Sequence, residues 1–216
     1  MSHDGARRIV SFLPAATEMV YALGLGDQLA GVTHECDYPP EAQHKRVVVR
    51  SILPDGLTQR EIDQAVSARL KQGQSLYEAD AEALTLIAPD LIITQELCSV
   101  CAPSGNEISQ LLKVLPNKPQ ILWLTPKNLA GIFDNLRDIG NATGRATKAE
   151  SLIVELRRQL ELIRGLAAAD GARPRVFFME WLDPVYCSGH WVPEMVSCAG
   201  GNDALGRAGS ESVRRS

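Results

Sequence analysis

Along the chain, short apolar runs alternate with segments of helical period. Residues 8–13 (RIVSFL) are a β-branched and apolar run stopped by Pro14, which predicts a strand. Residues 17–23 then read as a helix, with Thr17 as N-cap and Gly24 just past its end. A second strand is expected over 29–34 (LAGVTH), a turn at Asp37-Tyr38-Pro39-Pro40, and a short buried strand over 47–49. Thr58-Gln59-Arg60-Glu61 is a capping box, in which hydroxyl and carboxylate close the first helical turn reciprocally. That helix runs to about Lys71 and stops at Gly73. A further helix at 80–87 leads through Pro89 into the strand 90–95 (DLIITQ), and 120–125 (QILWLT) is the next strand. Residues 128–140 follow as a helix, with Leu129, Ile132, Phe133, Leu136 and Ile139 on one stripe. Strands separated by helices predict an α/β lobe over residues 1–145, its sheet mostly parallel and covered on both faces.

Residues 146–169 break the rhythm. They hold no proline, no glycine before Gly165, and much Glu, Arg, Leu and Ala, with Leu152, Leu156, Leu160, Ile163 and Leu166 on a narrow stripe. At about 1.5 Å per residue such a helix is roughly 35 Å long, more than a crossover needs, so it reads as a connecting strut. Residues 170–216 offer one clear strand (173–180), a helix over 193–199, and then glycines and a polar tail. The expected fold is α/β: two lobes with mostly parallel sheets joined by one long helix, the second lobe incomplete, so that the chain stops mid-domain.

Composition narrows the function classes. Of 216 residues, 22 are basic and 26 acidic, and no basic run is interleaved with aromatics, which argues against nucleic acid. No apolar stretch reaches the length of a membrane span, so a membrane-embedded chain is not expected. Residues 1–8 are polar and the apolar residues after them are already a strand; as written, without a signal peptide, the chain is expected in the cytoplasm. Five cysteines without a tight framework suit a reducing compartment.

Ligands of parallel α/β sheets sit beyond the carboxyl ends of the strands. That rule selects Leu13, Pro14, Ala15 and Ala16; then His34, Glu35, Cys36 and Asp37; then Gln95, Glu96, Leu97 and Cys98; and then Trp181, Leu182, Asp183 and Pro184. Cys98-Ser99-Val100-Cys101 has the spacing of a zinc or redox pair, but a structural zinc site wants four ligands and no second pair exists. Inert loop thiols are the plainer reading. A metal- or thiol-dependent enzyme using Cys98, Cys101, Cys36 and His34 is the alternative. No nucleophile–base pair, phosphate-cradling glycine loop or paired carboxylate stands out, and Gly24-Leu25-Gly26 opens no helix.

Four stretches in order along the chain carry a resemblance: Ser11-Phe12-Leu13-Pro14-Ala15-Ala16-Thr17-Glu18, Cys36-Asp37-Tyr38-Pro39-Pro40, Ala88-Pro89-Asp90-Leu91-Ile92 and Ala199-Gly200-Gly201. The chain resembles the helical-backbone class of solute-binding proteins of ABC importers, and within it the cobalamin-binding branch. The resemblance implies a non-enzymatic protein that holds cobalamin or a related metal chelate in a cleft between two lobes. The corrinoid is then a transported ligand and not a prosthetic group, an ABC permease is the partner, and the location is periplasmic or otherwise extracytoplasmic where the amino terminus is incomplete. It points to the same loops and adds Gly189-His190-Trp191, where an imidazole can ligate cobalt and an indole can pack on a flat macrocycle. It also makes Glu82, seven residues before Pro89, an exposed docking residue for permease arginines. Where cobalamin-binding relatives place aromatics in the first lobe, this chain carries Glu35 and Gln95.

Overall fold

The most apolar runs of the sequence become the central strands of a sheet, because strands buried on both faces have no polar side to show. In a computed structural model, which describes residues 8–95, 105–171 and 173–215, the chain divides into two compact units. Unit 1 comprises residues 1–55 with 65–124, and unit 2 comprises residues 56–64 with 125–216. The boundary at 124 differs from the expected lobe end at 145, and the long helix groups with unit 2 and does not stand apart.

Among the described residues, unit 1 is built on six strands: β1 (Ile9–Ser11), β2 (Leu29–Thr33), β3 (Val47–Ser51), β4 (Tyr77–Ala79), β5 (Leu91–Gln95) and β6 (Gln120–Leu124). Their order is β4-β3-β2-β1-β5-β6, parallel throughout except that β4 runs antiparallel to β3 at one edge. Ile9, Val10, Leu91, Ile92 and Ile93 are fully buried. Of these, Val10 and Ile92 pack with Phe12, Val48, Val49 and Leu84, and with Ile108, Leu111 and Leu115 on and just past α4 (Gly105–Val114). Neither β4 nor α4 is among the elements that the sequence pattern predicts. Helix α1 (Pro14–Ala22) begins three residues earlier than Thr17, because Pro14 supplies a pre-set φ at the first helical position and lacks only an N–H the helix does not need. Thr17 is therefore inside the helix and buried. Helix α3 (Ala81–Ile87) starts at Asp80, whose Oδ1 accepts from the Ala83 N–H at 2.8 Å.

Helix α2 (Gln59–Lys71) is shared: its residues 59–64 group with unit 2 and the remainder with unit 1. Its capping box forms as read, with the Thr58 N–H donating to Glu61 Oε2 at 2.8 Å and the Glu61 N–H pointing back to the Thr58 hydroxyl at 3.4 Å.

In unit 2, α5 (Leu129–Ala142) is capped by Asn128, which accepts from the Gly131 N–H at 2.8 Å. It packs against α6 (Ala146–Asp170), a single unbroken helix of 25 residues. The crossing is close because Gly140 has no side chain: a Cβ there would lie 2.6 Å from that of Ala149. The residues after α6 do not form one strand over 173–180. They form β7 (Arg175–Val176) and β8 (Met179–Trp181), with Phe177 and Phe178 between them. Strand β7 pairs in parallel with β10 (Asn202–Asp203), while β8 pairs antiparallel with β9 (Tyr186–Cys187), which pairs with β11 (Val213–Arg214). Helix α7 (Val192–Cys198) lies between β9 and β10 in the sequence. Phe177, Phe178 and Met179 are 45%, 43% and 43% exposed, the partial cover expected from so small a sheet.

Candidate functional site

Because β2, β1 and β5 are adjacent and parallel, the loops leaving their carboxyl ends share one edge of unit 1. The first of these loops is nearly absent. Ser11 donates its hydroxyl to the Leu13 carbonyl at 2.8 Å, and α1 begins at once. Leu13 and Ala16 are buried, so their side chains serve the core; Pro14 is half-buried and Ala15 exposed.

The second loop is a tight turn. The His34 N–H donates to the Val49 carbonyl at 3.0 Å, the Glu35 N–H to the Thr33 hydroxyl at 3.0 Å, and the Cys36 N–H to the Thr33 carbonyl at 3.1 Å. This leaves the His34, Glu35 and Asp37 side chains exposed and turns Cys36 inward, 3.1 Å from the Thr17 hydroxyl. Burial pushes the Cys36 thiol upward, opposed by its hydrogen bonds to Thr17 and Thr33 and reinforced by the nearby charges of Glu35 and Asp37. A thiol so held stays protonated and is a poor nucleophile or metal ligand.

The third loop begins at Gln95, half-buried at the end of β5. Thr94 beside it is fully buried, and its hydroxyl has no partner among the described residues. Glu96, Leu97, Cys98 and Cys101 lie outside the described residues. Among the described residues, no group of three or more His, Cys, Asp or Glu is placed to hold a metal ion. Glu82 is exposed in the first turn of α3, on the connection toward the amino end of β5 and not in these loops.

Trp181, His190 and Trp191 belong to unit 2. The Trp181 indole N–H donates to the carbonyls of Gln59 at 3.3 Å and Asp183 at 3.0 Å. Around it the start of α2 grips the 181–186 turn. Gln59 Oε1 accepts from the N–H groups of Leu182 and Asp183, both at 3.1 Å; Arg60 makes a two-pronged pair with Asp183 at 3.0 and 2.9 Å; and the Tyr186 hydroxyl donates to Asp63 at 2.9 Å. The sequence reading missed Gln59, Arg60 and Asp63, since the capping box marks where a helix starts but not what it meets 120-odd residues later. His190 and Trp191 are half-buried, with ring centroids 5.8 Å apart and planes inclined by 39°. His190 takes a left-handed backbone (φ +50°) and hydrogen-bonds both ways with the 209–210 segment. Gly189 makes this possible: a Cβ there would lie 2.5 Å from the Ser212 nitrogen and 2.6 Å from the Ser210 oxygen.

The periplasmic binding protein family matches residues 9–214. The chain belongs to that family. Relatives include the vitamin B12-binding protein of Vibrio cholerae, 28% identical over 199 residues, which cover 91% of this chain and 60% of that one. Another is the vitamin B12-binding protein of Pectobacterium carotovorum, 26% identical over 183 residues, covering 84% and 55%. This family member thus spans only about three-fifths of the length of these relatives. Among solved structures, the periplasmic vitamin B12 binding protein of Vibrio cholerae superposes with a TM-score of 0.66 at 24% identity, covering 97% of this chain and 70% of that one. A periplasmic haem-binding protein from Roseiflexus sp. RS-1 in apo form gives 0.67 at 24% identity, covering 98% and 71%. Both likenesses fix the binding-protein fold. No helix among the described residues is long and apolar enough to cross a membrane.

Proposed function

We propose that the chain is the substrate-binding component of an ABC-type uptake system, taking up cobalamin or a related metal chelate as its transported ligand. The observation that carries this reading is the family match over residues 9–214, joined to a sheet edge where three adjacent parallel strands present their loops together. On that edge Pro14, Ala15, His34, Glu35, Asp37 and Gln95 are the contact residues, and Glu96, Leu97 and Cys98 continue the last loop. Leu13 and Ala16 support it from below. In unit 2, Trp181 and Trp191 supply flat apolar surface and His190 an imidazole able to ligate a metal centre. Exposed and outside the edge loops, Glu82 suits docking to a permease arginine. Extracytoplasmic work follows from the same reading.

The test is an absorbance titration of the purified chain with cobalamin and, separately, with haem. A saturable spectral change with cobalamin, weakened by His190→Ala or by Glu35→Ala, is the expected result. Saturation by haem alone moves the ligand to the other chelate class. Tight zinc binding with no chelate binding sinks the proposal and favours the thiol- or metal-dependent enzyme, a reading to which the protonated, inward-facing Cys36 lends nothing.

A further inference from the structure

We propose that unit 2 carries a second, separate site for a small anion bearing a carboxylate or phosphate group, in a cavity of about 320 Å³ between the end of α6 and α7. Three small residues, Ala167, Ala168 and Gly200, are part of its lining. Gly200, with φ +85°, follows α7 and lies against Ala167; a Cβ at that position would be 2.9 Å from the Ala167 Cβ. Glycine at this position lets the backbone after α7 approach α6 closely, and the two together wall one side of the cavity.

The walls carry two guanidinium groups. Among the described residues, Arg164 and Arg173 line the cavity together with one carboxylate, that of Glu194. Glu194 is turned elsewhere: its Oε2 accepts from the Leu129 N–H at 2.8 Å at the start of α5, while its Oε1 reaches the Arg164 guanidinium only at 4.0 Å. Arg164 pairs with Glu161 at 2.6 Å, and Arg173 has no ion-pair partner among the described residues. The Ser197 hydroxyl and the Cys198 thiol also line the space, and Cys198 is 5% exposed. Its proximity pushes the Arg164 guanidinium further up, so the thiol and the guanidinium are neighbours and not merely on the same wall.

This set of groups discriminates among ligands. Two guanidinium forks and a hydroxyl in one cavity match the oxygens of a carboxylate or phosphate, which accept several charge-assisted hydrogen bonds at once. A cation meets like charge, and an apolar molecule would strip water from guanidinium groups without replacing it. The volume is at the small end of ligand pockets, so the occupant is far smaller than a corrinoid. The inference is independent of the chelate proposal, and failure of one leaves the other standing.

Cys198 provides the readout. Iodoacetate and iodoacetamide react alike: the thiolate sulfur forms a bond to the methylene carbon, iodide leaves with the electrons of the broken C–I bond, and the thiol proton goes to buffer. Only iodoacetate is an anion. Labelling is followed at each cysteine by mass spectrometry, with the same cysteine in the urea-unfolded chain as reference. The iodoacetate-to-iodoacetamide rate ratio at Cys198 is expected to exceed its unfolded value by about tenfold, as a focused positive field concentrates anions. Arg173→Gln should return the ratio toward the unfolded value and Arg173→Lys should restore part of it, with far-UV circular dichroism unchanged in both. Inorganic phosphate should slow iodoacetate at Cys198 in the unsubstituted chain, and should raise its thermal midpoint but not that of Arg173→Gln. A ratio at or below the unfolded one, or one that Arg173→Gln leaves unchanged, overturns the site. If Cys198 resists both reagents, the thermal measurement decides alone, and no phosphate-dependent rise overturns it.

Discussion

Gly189 and Thr94 show how a single residue reports on its surroundings. At Gly189 an added methyl has nowhere to go, because the atoms it would strike are backbone of residues 210–212. Gly189→Ala is expected to cost about 1–3 kcal/mol in urea unfolding, the usual range for overpacking, and to dislodge His190 from its left-handed turn. An unchanged midpoint would mean that the 210–212 segment can move aside. Thr94 is the opposite case: a fully buried hydroxyl without a partner among the described residues. Replacing such a group by an isosteric methyl removes a desolvation cost, so Thr94→Val should leave stability unchanged or raise it by about 1 kcal/mol. A loss of similar size would reveal a partner for the hydroxyl beyond β5. Neither position stands out in the sequence. A glycine before a histidine signals a turn, but the chain that crowds it comes from more than 20 residues away.

At the scale of elements, local signals were read well where local chemistry decides. The capping box at Thr58–Glu61 is one such signal, and it carries a pH dependence. Hydrogen bonds from the Thr58 hydroxyl and amide hold the Glu61 carboxyl below the ordinary glutamate range. A carboxyl whose folded pKa is depressed supports the structure above its unfolded value and loses that support as pH falls through the folded one. The first turn of α2 should therefore hold through neutral pH and loosen below about pH 4. Trp181 donates to the Gln59 carbonyl in that turn, so its emission should change over the same acid range, and the change should be absent from Trp181→Phe. Glu61→Ala should show the acid-like emission already at pH 7; emission that ignores both acid and this substitution would separate the cap from the 181–186 turn. Helix α6 was equally legible as one long helix, but its expected stripe was not the buried one. Ala149 and Ile153 are fully buried, whereas Ile163 and Leu166 are 44% and 75% exposed. Spacing finds a face; only the neighbours decide how far along the helix it is covered. The strand expected over 173–180 broke in two for a similar reason, since β7 and β8 pair with different partners.

Across the whole molecule the two units differ in how much sheet they possess. Among the described residues, unit 1 has six strands of three to five residues with fully buried central strands, while unit 2 has strands of two or three residues and a half-exposed Phe-Phe-Met run. Short ladders with little apolar cover open at low cost. Amide hydrogen exchange over residues 174–200 is expected to be far faster than over β5; equal protection in the two regions would show that unit 2 is as firmly held as unit 1. Local pattern was enough to determine the α/β class, the strands at 8–13, 29–34 and 90–95 and the long helix, because period and caps are properties of neighbouring residues. The four motif stretches were enough to indicate the family. Tertiary structure alone decided that β4 closes the edge of the sheet, that α2 is divided between the units, and that Cys36 turns inward to Thr17 while His34 and Glu35 face outward. It alone joined Arg164, Arg173 and Cys198 around one cavity. Each of these depends on residues distant in the chain meeting in space, and one chain read in order carries no term for that.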